Sequence, residues 1–290
     1  MFYAFISPWI FGLAAFTLYP LLASFYYSLT RYDIVNPARW VGAANYERLF
    51  SDRLFWQSIK VTVYYTALSV PTGIAASLSL AMLLNQKVPA LSVFRTVYYL
   101  PSVITGVAVA LLFQWILNPE FGLVNYLLFA LFRIRGPGWF FDRHWAVPSF
   151  VLVGMWGLGG PMVIYLAALQ NVPTELYEAA KLDGANALHR FRNVTLPMIS
   201  PVILFTFITG IIGSFQTFTQ IFVVTGGAGG PSYATLVYVL YLYQQGFRNF
   251  RMGYASAQAW ILFLMIFGLT LCALRALRSR VYYEAPTPGL

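Results

Sequence analysis

The sequence predicts an all-α, polytopic membrane protein: a single transmembrane domain over residues 1–290 with six transmembrane helices. Three observations predict it. The chain is 59% hydrophobic and only 9% charged. Its charges fall between six uncharged runs, 1–30, 61–86, 96–119, 144–174, 193–247 and 252–274. A bilayer-spanning helix needs about 20 apolar residues, and every run is long enough to supply them. Finally, one polar segment, 171–197, is wedged between two of these runs and carries its own helix signals.

Taken in order, the spans fall near 3–29, 61–84, 97–118, 148–170, 198–224 and 254–274. The first lacks a basic n-region and is too long for a signal-peptide core, so it reads as a retained helix. Because Met1 stands almost inside it, a longer basic leader or an earlier start is expected. The second runs up to Lys87, and the third has Pro101 at its head. Phe121–Phe132 is too short to span and reads as interfacial or re-entrant. Trp156-Gly157-Leu158-Gly159-Gly160-Pro161 should bend the fourth span, since Pro161 breaks the hydrogen-bond ladder. The run 193–247 is long enough for two spans, but Pro197 and the stretch Gly226–Pro231 bound one helix. The remainder, Tyr233–Phe247, reads as interfacial or re-entrant. The glycine-rich stretch lacks the lysine of a phosphate-binding Gly-x4-Gly-Lys-Ser/Thr loop and is expected to be a flexible external turn.

Within the polar segment, Pro173 and Thr174 open a helix whose first turn carries Glu175 and Glu178, where the helix dipole favours negative charge. Leu176, Ala179, Ala180 and Asp183 share a face with two very small side chains. Gly184 can take the left-handed conformation of a helix stop at little steric cost. Asn186 can cap a second helix, in which Leu188 and Phe191 share a face and His189, Arg190 and Arg192 are basic. Pro197 removes a backbone donor as the next span begins.

The spacing Glu178-Ala179-Ala180, three residues, Gly184, nine residues, Val194-Thr195-Leu196-Pro197 resembles the EAA loop of ABC-transporter permeases, with Val194 where isoleucine is usual. Other stretches extend the likeness over nearly the whole chain, closest to the first-type permease subunit of the carbohydrate-uptake group (maltose and glycerol-phosphate importers). They are Trp40-Val41-Gly42, Asn45-Tyr46 and Leu49-Phe50; Phe94-Arg95-Thr96 with Pro101; Asn118-Pro119 with Phe121-Gly122; Leu169-Gln170 with Pro173 and Glu175-Leu176-Tyr177; Thr225-Gly226-Gly227 with Pro231; and Gly253-Tyr254-Ala255.

The resemblance implies the ABC importer permease fold and a chain that binds no cofactor. It implies a heterodimer with a second permease subunit, two cytoplasmic ATPase subunits holding ATP and Mg2+, and an external solute-binding protein. It assigns ATPase coupling to Glu178, Ala179, Ala180, Asp183, Gly184, Leu196 and Pro197. A cytoplasmic EAA loop in a six-span chain puts both termini in the cytoplasm of a bacterial or archaeal cell, with the chain in its cytoplasmic (inner) membrane. The basic residues do not set this orientation. Lys87, Arg95, Lys181, Arg190, Arg192, Arg275, Arg278 and Arg280 fall inside, and the other ten of 18 outside.

Ser214, Thr217 and Gln220 lie with Gly210 and Gly213 on one stripe of the fifth span, with Gln216 beside it; such polar groups should face a cavity or another helix. Ser214 and Thr217 also match, by distance from Thr225-Gly226-Gly227, positions where the family contacts sugar. A broken fourth span exposes backbone groups, adding Gly157 and Gly160 to the substrate path. Gln114 and Gln258 are further candidates, for which packing is the simpler role. The span cores contain no Lys or Arg, which favours a neutral sugar or polyol; glycerol phosphate fits if the second subunit supplies charge.

The net charge of +9 is spread over loops on both sides, as expected for contact with membrane lipid and not for nucleic acid. Cys272 stands alone, so neither a disulfide nor a cysteine metal site is available, and no metal ligands or catalytic residues are assigned. The competing readings are a secondary transporter and a membrane-embedded transferase. The first would carry ionisable groups inside a span or paired repeats. The second would need more than the loop group Glu120, Asp142, Arg143 and His144.

Overall fold

The computed structural model describes residues 2–86 and 90–277; Met1, Lys87, Arg278 and Arg280 lie outside the described residues. The chain opens with α1 (Phe2–Leu13), a π-helical turn at Ala14–Leu18 and α2 (Tyr19–Ser28). Pro20, which has no N–H to donate, sits at the start of α2, where a widened turn accommodates its ring. This rod lies on the periphery, with none of its apolar window buried.

A two-residue hairpin follows, β1 (Thr30–Arg31) antiparallel to β2 (Arg39–Trp40), then α3 (Ala44–Ser51) and α4 (Arg53–Leu84). Helix α4 starts ahead of the apolar run that marks the second span. Asp52 caps it by accepting from Leu54 N at 2.9 Å, and Lys60 is readily carried on its first turns.

The third span, expected at 97–118, is sharply bent. Helix α5 (Leu91–Tyr99) passes through a 3-10 turn, Leu100–Val103, before α6 (Gly106–Ile116), and the two segments meet at 98°. Pro101 withholds a donor and Ile104 and Thr105 are extended, so no helical ladder crosses the junction. Close packing holds α5 in place. A Cβ on Gly159 would stand 2.5 Å from the Tyr98 carbonyl, so glycine permits this approach. Helix α7 (Leu123–Phe132) is short and has no buried residue.

The fourth span is bent where the sequence places the bend. Helix α8 (Ala146–Gly154) ends in a 3-10 turn at Met155–Gly157, and α9 (Gly159–Gln170) departs at 54°. Helix α10 (Thr174–Leu182), a sharp turn and α11 (Ala187–Arg190) then lead through a π-helical turn, Phe191–Thr195, to α12 (Leu196–Met198).

The fifth span stands as one apolar stretch, Ser200–Thr225, but its helix is interrupted. Helix α13 (Ser200–Phe215) stops, Gln216–Phe218 is irregular, and α14 (Thr219–Thr225) restarts. Phe218 is held out of helical geometry (φ −147°) with its ring 5.1 Å from Phe222 and 5.2 Å from Tyr243. The glycine-rich turn is bonded at its first two residues. Arg248 donates to the Gly226 and Gly227 carbonyls at 3.0 and 3.2 Å, and Gln244 to Gly227 at 2.8 Å.

Helix α15 (Tyr238–Tyr243) folds back and packs into the bundle. Leu236, Val237, Tyr238 and Leu240 are fully buried, Tyr238 N donates to Thr62 Oγ1 at 2.8 Å, and the Tyr238 hydroxyl to the Gln258 carbonyl at 2.8 Å. Helix α16 (Met252–Leu277) closes the bundle.

Among the described residues, four helical stretches are long and apolar enough to cross a membrane, and the two bent pairs bring the number to six if each crosses. Helix α4 is the centre of the bundle, packing on α8, α9, α13 and α15. The main core gathers Phe55, Phe113, Phe150 and Tyr238; a second, around Leu78, Met162, Tyr165 and Ile199, lies under α10–α12. Asp52 ties three elements at one end. Besides capping α4 it accepts from the hydroxyls of Tyr241 on α15 and, at 2.6 Å, Tyr254 on α16. Burial raises the pKa of its carboxyl, but these hydroxyl and backbone bonds outweigh that and hold it below the ordinary value.

Candidate functional site

Two features carry chemistry: a cavity inside the bundle and the helical turn at its end. The cavity, about 260 Å3, lies between α4, the α8–α9 bend and α13. From the expected path, Ser214 and Gly157 come together on its wall. Thr217, in the irregular stretch, places its hydroxyl beside Tyr65 of α4, which also lines the cavity. The stripe does not extend as expected. The break turns Gln216 outward and exposed, and Gln220 lies against Gly106 of α6, whose Cβ would stand 4.0 Å from its Cγ. Gly160 lies outside the lining, and Gln258 is fully buried with its amide atoms unpartnered.

The sequence reading missed the wall made by α4. Tyr65, Ser69 and Gly73 recur every four residues and therefore share a face, yet they are diluted among apolar neighbours. No Lys, Arg, Asp or Glu lines the cavity. Most of its hydroxyls are spoken for: Thr72 bonds the Leu68 carbonyl at 2.5 Å, Ser77 that of Gly73 at 2.6 Å, Ser214 that of Ile211 at 3.0 Å, and Thr206 bonds Tyr165. Ser69 Oγ is different, because it is buried on the wall without a partner. An unmade hydrogen bond in an apolar setting is one that a solute hydroxyl can complete.

At the other feature, α10 ends at Asp183 and Gly184 turns the chain with φ +77°. Asn186 Oδ1 caps α11 by accepting from His189 N at 2.9 Å. The pair is anchored to the bundle by the Tyr177–Thr195 hydroxyl bond, 3.0 Å, and by Tyr177, Phe191, Val194 and Leu196 packing on the second core. Glu178, Ala179, Asp183 and Gly184 stay exposed, whereas Ala180, Leu196 and Pro197 are half-buried. A concavity between the helices is lined by Ala180, Asp183, Gly184, His189, Asn193 and Val194 among others.

Leu188 and Phe191 diverge instead of sharing a face. The π-helical turn beginning at Phe191 rotates it onto the core and leaves Leu188 63% exposed; Leu182, at the end of α10, is 90% exposed. Among the described residues Glu178 and Lys181 make no ion pair, and no group of three or more His, Cys, Asp or Glu is placed to hold a metal.

Comparison with known proteins agrees with this geometry. The family model described as a binding-protein-dependent transport system inner membrane component matches residues 54–281. The probable ABC transporter permease protein YesP of Bacillus subtilis (strain 168) is 39% identical, over 98% of this chain and 92% of its own. The lactose transport system permease protein LacF of Rhizobium radiobacter is 38% identical, over 95% and 93%. Among solved structures, a chain of a bacterial ABC transporter involved in the import of the acidic polysaccharide alginate superposes with TM-score 0.82. It is 25% identical and is matched over 96% of this chain and 95% of that one.

Proposed function

Because the chain belongs to the family of binding-protein-dependent transport system inner membrane components, we propose that it forms half of the translocation path of an ATP-driven importer for a neutral sugar or polyol. It is an ABC importer permease for sugars and a transport subunit, not an enzyme; ATP hydrolysis belongs to a partner ATPase. The observation that carries the finer reading is the cavity uniting Ser214 and Gly157 with Tyr65 and Ser69. Its size suits a sugar ring, its wall offers hydroxyls, and its lining has no charge to pair with an anion. Glycerol phosphate is disfavoured on that last ground.

In this proposal all six apolar segments cross the membrane and residues 1–290 act as one transmembrane domain. Both termini and the α10–α11 turn face the cytoplasm, and the Gly226–Pro231 turn faces outward. Residues Glu178, Ala179, Ala180, Asp183 and Gly184, with Leu196 and Pro197 behind them, couple the bundle to one of two ATPases. A second permease subunit completes the path, and an external solute-binding protein delivers the solute.

Gln216, Gln220 and Gly160 lie off the cavity.

Topology is the first test. Single cysteines at Asn186 and Ser232, introduced in a Cys272→Ser background, are expected to react with an impermeant thiol reagent from opposite sides. Labelling of both from one side would overturn the six-crossing arrangement.

A further inference from the structure

A second cleft, about 690 Å3, opens at the end of the bundle where α2 stops and α16 starts. Arg31 of β1, Arg48 of α3 and Arg251 just before α16 line it, brought together from three distant stretches of sequence and all exposed. None of them has a carboxylate partner among the described residues. Arg48 lies over the Tyr254 ring at 5.6 Å, and Arg251 reaches only the Gln245 amide oxygen at 3.5 Å. The one acid on the wall, Asp33, is occupied: its oxygens accept from Asn36 N and Nδ2, both at 2.8 Å, and these bonds lower its pKa. The hairpin adds a further positive charge, since its register sets Arg39 directly across from Arg31. Like charges in that position repel, and an anion between or beside them removes the penalty.

The place of the cleft, at the ends of two apolar helices, bears on which anion it takes. It sits between Ser28, the last residue of a peripheral apolar rod, and Met252, the first of the last long apolar helix. Aromatic rings mark the same level. Tyr27 stacks on Tyr32 at 4.6 Å and Tyr26 lies 6.0 Å from Trp40, with Tyr26 and Trp40 well exposed. Tyrosine and tryptophan collect at the membrane–water boundary, where phosphates of lipids lie. Below the cleft, α2 presents Leu22, Phe25 and Tyr26 outward, a surface for acyl chains.

We propose that Arg31, Arg48 and Arg251 bind the headgroup phosphate of an anionic phospholipid, whose chains run along α2. A phosphate oxygen pair accepts well from a guanidinium fork. The lipid would bridge the hairpin, α3 and the head of α16, elements also tied by Asp52 through Tyr254.

The test uses the assembled transporter, either wild type or with Arg31→Gln, Arg48→Gln and Arg251→Gln together, and with Arg31→Gln alone. Arg31 is exposed on a two-residue strand and supports no core, so the single variant folds. After detergent exchange, each is titrated with phosphatidylglycerol, phosphatidylcholine or inorganic phosphate, and bound lipid is counted by native mass spectrometry. Wild type should retain phosphatidylglycerol over phosphatidylcholine, and each arginine removed should weaken that retention about fivefold. Millimolar inorganic phosphate should not displace the lipid. Equal phosphatidylglycerol retention by all three proteins would overturn the site. Displacement by inorganic phosphate would make it a free-anion site instead. Unchanged lipid retention with lost stimulation by the solute-binding protein would reassign the arginines to an acidic protein surface.

Discussion

Replacing Gly184 with valine should abolish solute-stimulated ATP hydrolysis by the assembled transporter while leaving this chain inserted and paired with its sister subunit. Space is not the obstacle, since nothing lies within 4 Å of a Cβ built there. Conformation is. At φ +77° a β-branched side chain is strained by about 1–3 kcal/mol, and the chain relieves this by changing the turn. Helix α11 would then be misaimed, carrying away the exposed Leu188 and the basic His189 and Arg190 while Leu182 stays put. The second core lies under the turn and not in it, and the main core lies away from it, so the bundle survives. Gly184→Asn is the matched control. Asparagine tolerates left-handed geometry, and this variant should keep most of the stimulation. Stimulation and transport at wild-type level in Gly184→Val would remove the turn from the coupling path.

Leucine at Ser214 or Thr217 should lower uptake tenfold or more with assembly intact. Ser214 is buried on the cavity wall, and a leucine there both fills space and deletes a hydroxyl. At Thr217 the loss falls on the hydroxyl beside Tyr65. One buried polar contact removed costs about 1–3 kcal/mol, and about 1.4 kcal/mol is a factor of ten in binding. At Ser214 the leucine effect comes chiefly from filling the cavity, so Ser214→Ala should be far milder: the Ser214 hydroxyl is already engaged by the Ile211 carbonyl. If both leucine variants transport normally, the cavity is only a packing defect between helices.

Local chemistry was legible wherever a residue acts on its own backbone. Gly184 as a helix stop, Asn186 as a cap and the bend at Trp156–Pro161 all follow from side-chain properties that do not depend on neighbours. That 233–247 does not form a long helix of its own was legible from length alone. What failed were continuous helices through polar stretches. At Gln216–Phe218 no proline or glycine marks the break; it is imposed by Phe218 packing on Phe222 and Tyr243, a tertiary effect invisible to periodicity. The third span shows its Pro101 in sequence, but a 98° turn needs extended backbone at Ile104–Thr105 and α5 held against α9. Cavity residues on α4 were hidden for the opposite reason. Tyr65, Ser69 and Gly73 sit in a strongly apolar helix, where a four-residue spacing of small and polar side chains is also what helix packing uses.

ATP-driven uptake in proteoliposomes tests the account most directly. The chain would be reconstituted with its sister permease, the ATPase pair and the solute-binding protein, and supplied with lactose and other uncharged sugars, with sn-glycerol 3-phosphate for comparison. The account predicts that at least one uncharged sugar is accumulated only when ATP is present on the ATPase side, without any ion gradient, and that glycerol phosphate is not. Accumulation driven by a proton gradient without the ATPases, or accumulation of glycerol phosphate alone, would contradict it.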